Sequence, residues 1–178
     1  MKIELKKVET EEEIAAMCQV AEKVWHLTYD ALLAPGQVDY MVERFQSPRA
    51  VKEQMAHDGY QYHMVLGGGV PGGFVGFSPR YEGREELFLS KVYLLPELRG
   101  TGAVREAFRL VEEEARRQSL PVIRLTVNKG NAHAVEVYRH YGFEIVDSVV
   151  TDIGGGYVMD DYIMVKALEG WPPAKEET

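Results

Sequence analysis

The sequence predicts a single-domain α/β (α+β) fold: a mixed, mostly antiparallel twisted sheet flanked by helices, in the order β-α-α-α-β-β-β-α-β-α-β-β. Three observations predict it. Apolar residues recur at helical spacing through the first third of the chain. Alternating apolar segments separated by glycine turns follow. The second half then holds one strand–helix–strand unit, which calls for a parallel pair inside the sheet. With 178 residues, 46% hydrophobic and 27% charged, the chain has the size and composition of one globular domain with one substantial core. The domain is expected over residues 1–168, with residues 169–178 as a C-terminal tail.

Lys2–Val8 alternates through Ile3 and Leu5 and reads as a short strand. Thr10 followed by Glu13 makes a capping box, and the acids at positions 11 to 13 favour a helix N-terminus. Ile14, Met17, Cys18, Ala21, Val24 and Trp25 continue at helical spacing to near Tyr29. A second helix carries Val38, Met41, Val42 and Phe45. Ser47 and Pro48 cap and open a third, short one through Val51 and Met55. Tyr60–Leu66 reads as a strand, Gly67–Gly73 (GGGVPGG) as the turn after it, and Phe74–Ser78 as its returning partner. A polar connection over Tyr81–Glu86 leads to a third strand, Leu87–Leu94. After the RGTGA turn, Val104, Phe108, Val111 and Ala115 line one helix face, and Pro121 stops that helix. Val122–Val127 is an apolar strand. Asn131 caps a helix bearing Ala134, Val135, Tyr138 and Tyr141, which Gly142 terminates. Phe143–Ile153 and Tyr157–Lys166 close the sheet, joined by Gly154–Gly156.

Charge and cysteine usage narrow the function. Twenty Lys and Arg against 28 Asp and Glu give a net charge of −8. That balance argues against nucleic-acid binding, which needs cations to replace phosphate counterions, and it suits a cationic substrate. Cys18 is the only cysteine, so neither an internal disulfide nor a cysteine-based zinc site can form. The five histidines show no ligand spacing, since His133 and His140 lie seven apart on one helix, and no metal is expected. No apolar run approaches the roughly 20 residues of a membrane span. The opening MKIELKKVETEEE is too polar for a secretory segment, so a cytoplasmic location is expected, without membrane attachment.

The most informative stretch runs from Val92 to Arg105, a strand passing through a glycine-rich turn into a helix. Successive N–H groups at such a turn converge, the helix dipole adds partial positive charge, and glycine lets an anion come close. The site suits phosphate or pyrophosphate, unless the segment is a plain turn without a ligand. A P-loop needs a Lys-Ser/Thr pair after its second glycine, and none is present. A dinucleotide fingerprint needs glycine where Arg105 stands and an acid where Val127 and Asn128 stand. The segment instead resembles the acyl-CoA loop of the GCN5-related N-acetyltransferases (the GNAT family), Arg-x-x-Gly-x-Gly/Ala after a strand and a Pro-Glu pair. Arg99 and Gly102 match. Val104 departs, because the family has a small residue there. If Val104 points into the sheet the change is silent, and if it points outward affinity should fall. Binding is expected to survive, because backbone amides make the main contacts.

A second segment resembles the same family. Asn131-x-x-Ala134-x-x-x-Tyr138-x-x-x-Gly142-Phe143 reproduces its N-x-x-A-x-x-x-Y-x-x-x-G-F signature without departure. Read alone, Tyr138 fits a core tyrosine equally well. The two signatures span Val92–Phe143, and the strand order extends the likeness over most of the chain. The resemblance implies acetyl-CoA as acyl donor, held by the amides of Arg99, Gly100, Thr101, Gly102, Ala103, Val104 and Arg105 at its pyrophosphate. It implies Asn131 on the pantetheine arm and Tyr138 facing the sulfur. It also implies an oxyanion donor among the backbone N–H groups of Val92, Tyr93 and Leu94, and homodimerisation through sheet edges.

The chemistry follows from amine acid–base behaviour. An alkylamine with a pKa near 10.4 is neutral in about one molecule in 2,500 at pH 7, and only that form attacks a thioester. A base or water chain must therefore remove a proton, and a preset donor must meet the developing oxyanion. Tyr138 can protonate the departing thiolate, so no covalent enzyme intermediate is needed and Cys18 reads as core. Glu85 and Glu86 are candidate bases before the central strand, and both read equally as solvated loop acids. His26 and His63 read as structural. For the acceptor, the first helices and last hairpin offer Trp25, Tyr29 and Tyr40 with Asp39, Asp152, Asp160 and Asp161, a set suited to an ammonium group or equally to core and surface roles. The segments WHLTYDALL, QVDYMVERFQS, FLSKVYLLPELRG and DIGGGYVMDDYIMVK resemble the PaiA-type spermidine/spermine acetyltransferase branch. The expected activity is acetyl transfer to a small primary amine, with a polyamine first to test. The rivals are a protein N-terminus or an antibiotic amine as acceptor, and a non-catalytic acyl-CoA-binding or regulatory domain, which Val104 keeps open.

Overall fold

Local signals start most helices. In the computed structural model, which describes residues 1–168, Thr10 and Glu13 form the reciprocal capping box of α1 (Glu11–Tyr29). Gly36 precedes α2 (Gln37–Phe45), and Ser47 caps α3 (Pro48–His57) with its hydroxyl on the Ala50 amide. Gly102 precedes α4 (Ala103–Arg117), and Asn131 caps α5 (Ala132–His140). The strands are β1 (Ile3–Lys7), β2 (Gln61–Gly67), β3 (Val70–Pro79), β4 (Leu87–Leu94), β5 (Val122–Asn128), β6 (Glu144–Gly154) and β7 (Tyr157–Ala167). The expected tail at 169–178 lies outside the described residues.

All seven strands form one sheet in the order β1-β2-β3-β4-β5-β7-β6. Every neighbouring pair is antiparallel except β4 and β5, which run parallel across the α4 crossover. The expected mixed, mostly antiparallel sheet and its element order are the observed ones. One face packs under α4 and α5 around Val75, Phe77, Phe108, Val111 and Leu125. The other packs under α1–α3 around Met17, Val24, Trp25, Tyr62 and Phe74.

The segment Gly67–Gly73, expected as a turn, is mostly strand. Only Gly68 and Gly69, with φ of 58° and 82°, make the two-residue hairpin connection, and β3 already begins at Val70. The remaining glycines serve close approach. A Cβ on Gly72 would lie 2.7 Å from Leu98 Cδ1, and one on Gly73 would lie 2.5 Å from the Tyr93 carbonyl oxygen.

The parallel pair is short. β4 and β5 are in register only at Leu87–Ile123 and Phe88–Arg124, whereas β3 follows β4 to Leu94. The register of β3 on β4 steps from Phe77–Leu89 to Gly76–Lys91, which leaves Ser90 as an extra residue, a β-bulge. A bulge bends its strand, and this one falls just past the last residues paired with β5. The centre of the sheet therefore opens into a gap.

Candidate active site

The two walls of the gap follow from strand register. Leu95 donates its N–H to the Gly72 carbonyl at 2.7 Å, so those facing residues form a hydrogen-bonded pair. Bonded and non-bonded pairs alternate along antiparallel strands. Tyr93 opposite Phe74 is then bonded to β3, while Leu94 opposite Gly73 and Val92 opposite Val75 turn their N–H and C=O groups away from it. Two amides, Val92 and Leu94, thus face the gap, and the third expected candidate, Tyr93, is directed to β3. Val92, Tyr93 and Leu94 all line the cleft nonetheless, with Val127 opposite and Tyr138 from α5. The cleft encloses about 150 Å³ open to water.

The turn leading into α4 has the form the sequence implied. Gly100 and Gly102 have φ of 72° and 85°, where a side chain is strained, and no side chain caps the first turn of α4. Beside Gly100 a Cβ would meet nothing within 4 Å, so an anion has room against the backbone there. Thr101 Oγ1 donates to the Leu98 carbonyl at 2.6 Å and holds the turn shut from behind. The Arg105 guanidinium lies over Gly102, within 3.3 Å of where a Cβ would stand. Arg99 and Val104 line the cleft itself, and Ala103 is buried beneath the helix. Val104 both lines the cleft and packs against the core under α4. The Arg99 amide, expected among the diphosphate donors, is instead committed to the Pro96 carbonyl at 3.1 Å, because it closes the short turn Pro96–Leu98. The open space at Gly100, the start of α4 and the Arg99 and Arg105 guanidinium groups are what suit a diphosphate here.

Asn131 and Tyr138 lie on the α5 side of the cleft. The Asn131 oxygen accepts from the Ala134 amide at 3.3 Å, which is the helix cap. Tyr138 is held edge-on by Phe108 and Phe143, each 5.9 Å between ring centres. Burial pushes its hydroxyl well above the ordinary tyrosine range, with the nearby Tyr29 adding to the effect, so it carries its proton at neutral pH. Tyr29 and Tyr93 share a hydrogen bond of 2.8 Å between hydroxyls. Burial pushes the Tyr29 hydroxyl up to about 12 and holds Tyr93 well above the ordinary tyrosine range. Trp25 stands edge-on to Tyr93 and Phe74 stacks on it, which fixes that ring under α1.

Several expected residues lie elsewhere. Glu86 makes a two-pronged ion pair with Arg124, at 2.6 and 3.1 Å, and Glu85 pairs with Arg80 at 3.4 Å. Both belong to the closed end of the strand pair and neither lines the cleft. Cys18 is buried, and burial pushes its thiol to about 11, as a core cysteine. His63 stacks on Phe77, and His140 meets Tyr141. His26 bridges Asp30 and Asp39 at 2.9 and 3.0 Å. Among the acceptor candidates, Tyr40 donates to the Ile153 carbonyl at 2.7 Å, tying α2 to the last hairpin. Asp152 accepts from Gly154 in its own turn, and Asp160 pairs with Lys129.

Three residues carry more than their sequence position suggested. Thr28 lines the cleft. Lys91, which reads as an ordinary strand lysine, is buried against Tyr62, Gln54 and the Phe45 carbonyl, and burial pulls its ammonium down to about 7. Asp161 is nine-tenths buried. Nothing in the local sequence separates these from their exposed neighbours. Among the described residues, no group of three or more His, Cys, Asp or Glu is arranged to hold a metal ion, and no helix is long and apolar enough to cross a membrane.

Solved structures share this architecture. The PaiA N-acetyltransferase of Thermoplasma acidophilum in complex with coenzyme A superposes with a TM-score of 0.77 at 19% identity, covering 94% of this chain and 100% of that one. The ribosomal-protein-alanine N-acetyltransferase of Brucella melitensis matches with a TM-score of 0.64 at 22% identity over 94% and 100%. A spermidine N-acetyltransferase SpeG chimera, from Vibrio cholerae and hSSAT, matches with a TM-score of 0.64 at 15% identity over 94% and 96%. No curated protein matches the sequence significantly. The family pattern described as Acetyltransferase (GNAT) family matches residues 21–143. The chain therefore belongs to the GNAT family and is an acetyl-CoA-dependent N-acetyltransferase.

Proposed function

We propose a cytoplasmic enzyme that transfers acetyl directly to a small primary amine, a polyamine first among them, within a ternary complex. The observation that carries this is the open parallel pair. It sets the Val92 and Leu94 amides on one wall and the protonated Tyr138 hydroxyl on the other, beside a turn that fits a diphosphate.

Acetyl-CoA, when bound, supplies the acetyl group as an activated thioester. The residues from Gly100 to Arg105 grip its diphosphate through amides and the positive end of α4, and Arg99 adds its guanidinium. Asn131 orients the pantetheine arm with the part of its side chain that the helix cap leaves available. A β4 amide, from Val92 or Leu94, donates to the carbonyl oxygen as negative charge develops there. Tyr138 gives its proton to the departing sulfur, and its raised proton affinity keeps that proton in place until then. The amine enters on the α1 face, where Tyr29 and Tyr93 offer ring and hydroxyl and where the last hairpin brings carboxylates. A spermidine N-acetyltransferase among the structures of this fold supports the choice of polyamines as first substrates. The outer edge of β6, unpaired among the described residues and with Val146 and Val150 exposed, supports a homodimer formed through sheet edges.

Release of free thiol from acetyl-CoA, measured with spermidine, spermine, 1,4-diaminobutane, amino acids and short peptides, tests the reading. Turnover with the diamines and polyamines is expected. Coenzyme A binding without turnover of any amine overturns it in favour of a binding module, and turnover of peptides alone moves the acceptor to protein N-termini.

A further inference from the structure

The proposed reaction needs a group that takes the first proton from the substrate ammonium, and both glutamates singled out before β4 are committed elsewhere. One other carboxylate near the gap is available. Asp161 lies on β7 opposite Asn128 of β5 and Val149 of β6. It is 9% exposed, and its Oδ1 is buried and has no hydrogen-bond partner among the described residues. A buried carboxylate oxygen without a donor is costly and rare, so a structure that keeps one calls for an explanation.

Strand parity shows where the side chain lies. Ile123, Leu125 and Val127 of β5 point into the core under α4, so Asn128 and its partner Asp161 lie with Thr126 on the opposite face, toward α1. Tyr93 occupies that same face on β4, across the gap, under Trp25 and Tyr29. The charge of Asp161 reaches both tyrosine hydroxyls and raises their proton affinity. On its other side are Asp160 and Lys129, which pair with each other at 3.0 Å. Asp161 is thus left with a cation two steps away and two hydroxyls in front of it.

We propose that Asp161 is the proton acceptor of the amine acetylation, placed behind Tyr29 and reached from the bound ammonium through that hydroxyl or one water. It does not line the cleft and touches no reacting atom, so its role is that of a positioning residue that stores the proton. The step balances as follows. The ammonium gives one proton to Asp161, which passes it to solvent on the side of Lys129. The freed lone pair forms the C–N bond. The second nitrogen proton leaves after that bond forms and replaces the one Tyr138 gives to the sulfur as the C–S bond breaks. One proton is released per acetyl transferred.

The electrostatics agree with this geometry. Burial, with Asp160 beside it, pushes the Asp161 carboxyl up to about 6, Lys129 opposing. It is therefore ionised in the free enzyme at neutral pH but binds a proton far more readily than a surface carboxylate. The nearby hydroxyls of Tyr29, Tyr93 and Tyr138 stay protonated across that range. His26, held above the ordinary imidazole range by its bond to Asp30, and Lys91, pulled down to about 7 by burial, are the groups to separate from it.

This proposal rests on acetyl transfer to a small amine, and the test separates the two. The kcat/KM of the wild-type enzyme for its best amine is expected to rise with an ascending limb near pH 6, on top of the ionisation of the amine itself. Asp161→Asn should remove that limb and lower kcat/KM by at least about a hundredfold, with coenzyme A affinity unchanged. His26→Gln should keep the limb. Folding gives a second readout. A carboxyl raised from 3.8 to about 6 leaves the native state most favoured in acid and costs stability as pH rises through that range. Asp161→Asn should therefore raise Tm at pH 8 and leave it near wild type at pH 4. A residue conserving structure through its charge would show a fall in Tm at pH 8, which overturns the proposal. Retention of the limb or of near-full activity in Asp161→Asn overturns it too while leaving acetyl transfer standing. Absence of turnover with every amine in the wild type overturns both.

Discussion

The hydroxyls of Tyr29 and Tyr93 stand 2.8 Å apart, and that bond joins the last turn of α1 to the strand whose amides look into the gap. It lets the first helix register the position of β4 at the point where β4 has left β5. Asn131, at the start of α5, lines the same cleft as this pair, so three elements far apart in sequence meet around one opening. The acceptor side of the cleft is thereby built on packed helices and strands and does not depend on a loose loop, which suits a site that must hold an amine within bonding distance of a thioester.

Tyr138→Phe removes one hydroxyl from a ring that Phe108 and Phe143 continue to hold edge-on. The fold and the coenzyme A site should persist. Turnover should fall by about a hundredfold or more, the usual contribution of a positioned acid, while the dissociation constant for coenzyme A changes little. Steady-state kinetics beside calorimetric titration make the comparison. Unchanged turnover removes Tyr138 from the acid role.

Gly102→Asp tests the diphosphate turn. Its φ of 85° makes any side chain cost about 1–2 kcal/mol, and the new carboxylate would stand against the phosphate. Coenzyme A affinity should fall at least about tenfold, with the loss shrinking as salt is added, because screening weakens the repulsion. Arg99→Ala should weaken binding in the same assay. Unaltered affinity in both variants places the cofactor elsewhere.

What the sequence made legible, and what it concealed, divides by the range of the forces involved. Thr10 with Glu13, Ser47 and Asn131 announce helix starts because a cap is satisfied within four residues. The Gly100–Gly102 turn is equally local. Gly72 misled because the group that needs its missing side chain, Leu98, is 26 residues away in the chain. Val92 and Leu94 could not be separated from Tyr93, since the direction of an amide depends on which β3 residue it faces. Asp160 and Asp161 are adjacent and identical in type. Only the packing of α1 across the sheet makes one a surface ion pair with Lys129 and the other a buried carboxylate.

Glu86→Gln distinguishes a structural carboxylate from a catalytic one. The Glu86–Arg124 pair ties β4 to β5 where their register ends, and both side chains are three-quarters buried, at 22% and 24% exposure. Arg124 holds the Glu86 carboxyl below the usual carboxylate range. A depressed carboxyl stabilises the fold above its unfolded pKa of about 4.5, and that contribution disappears as pH falls through the folded value. Glu86→Gln should cost about 1–2 kcal/mol at pH 7 and progressively less in acid, measured by urea unfolding. Its kcat/KM should keep the ascending limb of the wild type, and loss of that limb would return Glu86 to the role of base.

Val104→Ala addresses the one departure from the family loop. Val104 lines the cleft and packs on the core under α4, so truncation removes two methyl groups from a half-buried contact. Stability should fall by about 1 kcal/mol, read as a lower urea midpoint. If amides carry the cofactor, the Val104 N–H is the same in both proteins and coenzyme A affinity should stay within about threefold, which is under 1 kcal/mol. A rise of tenfold or more in affinity would mean that the branched side chain stands between the turn and the diphosphate. The wild-type loop would then be a weakened acyl-CoA site, and Val104 the residue that weakens it.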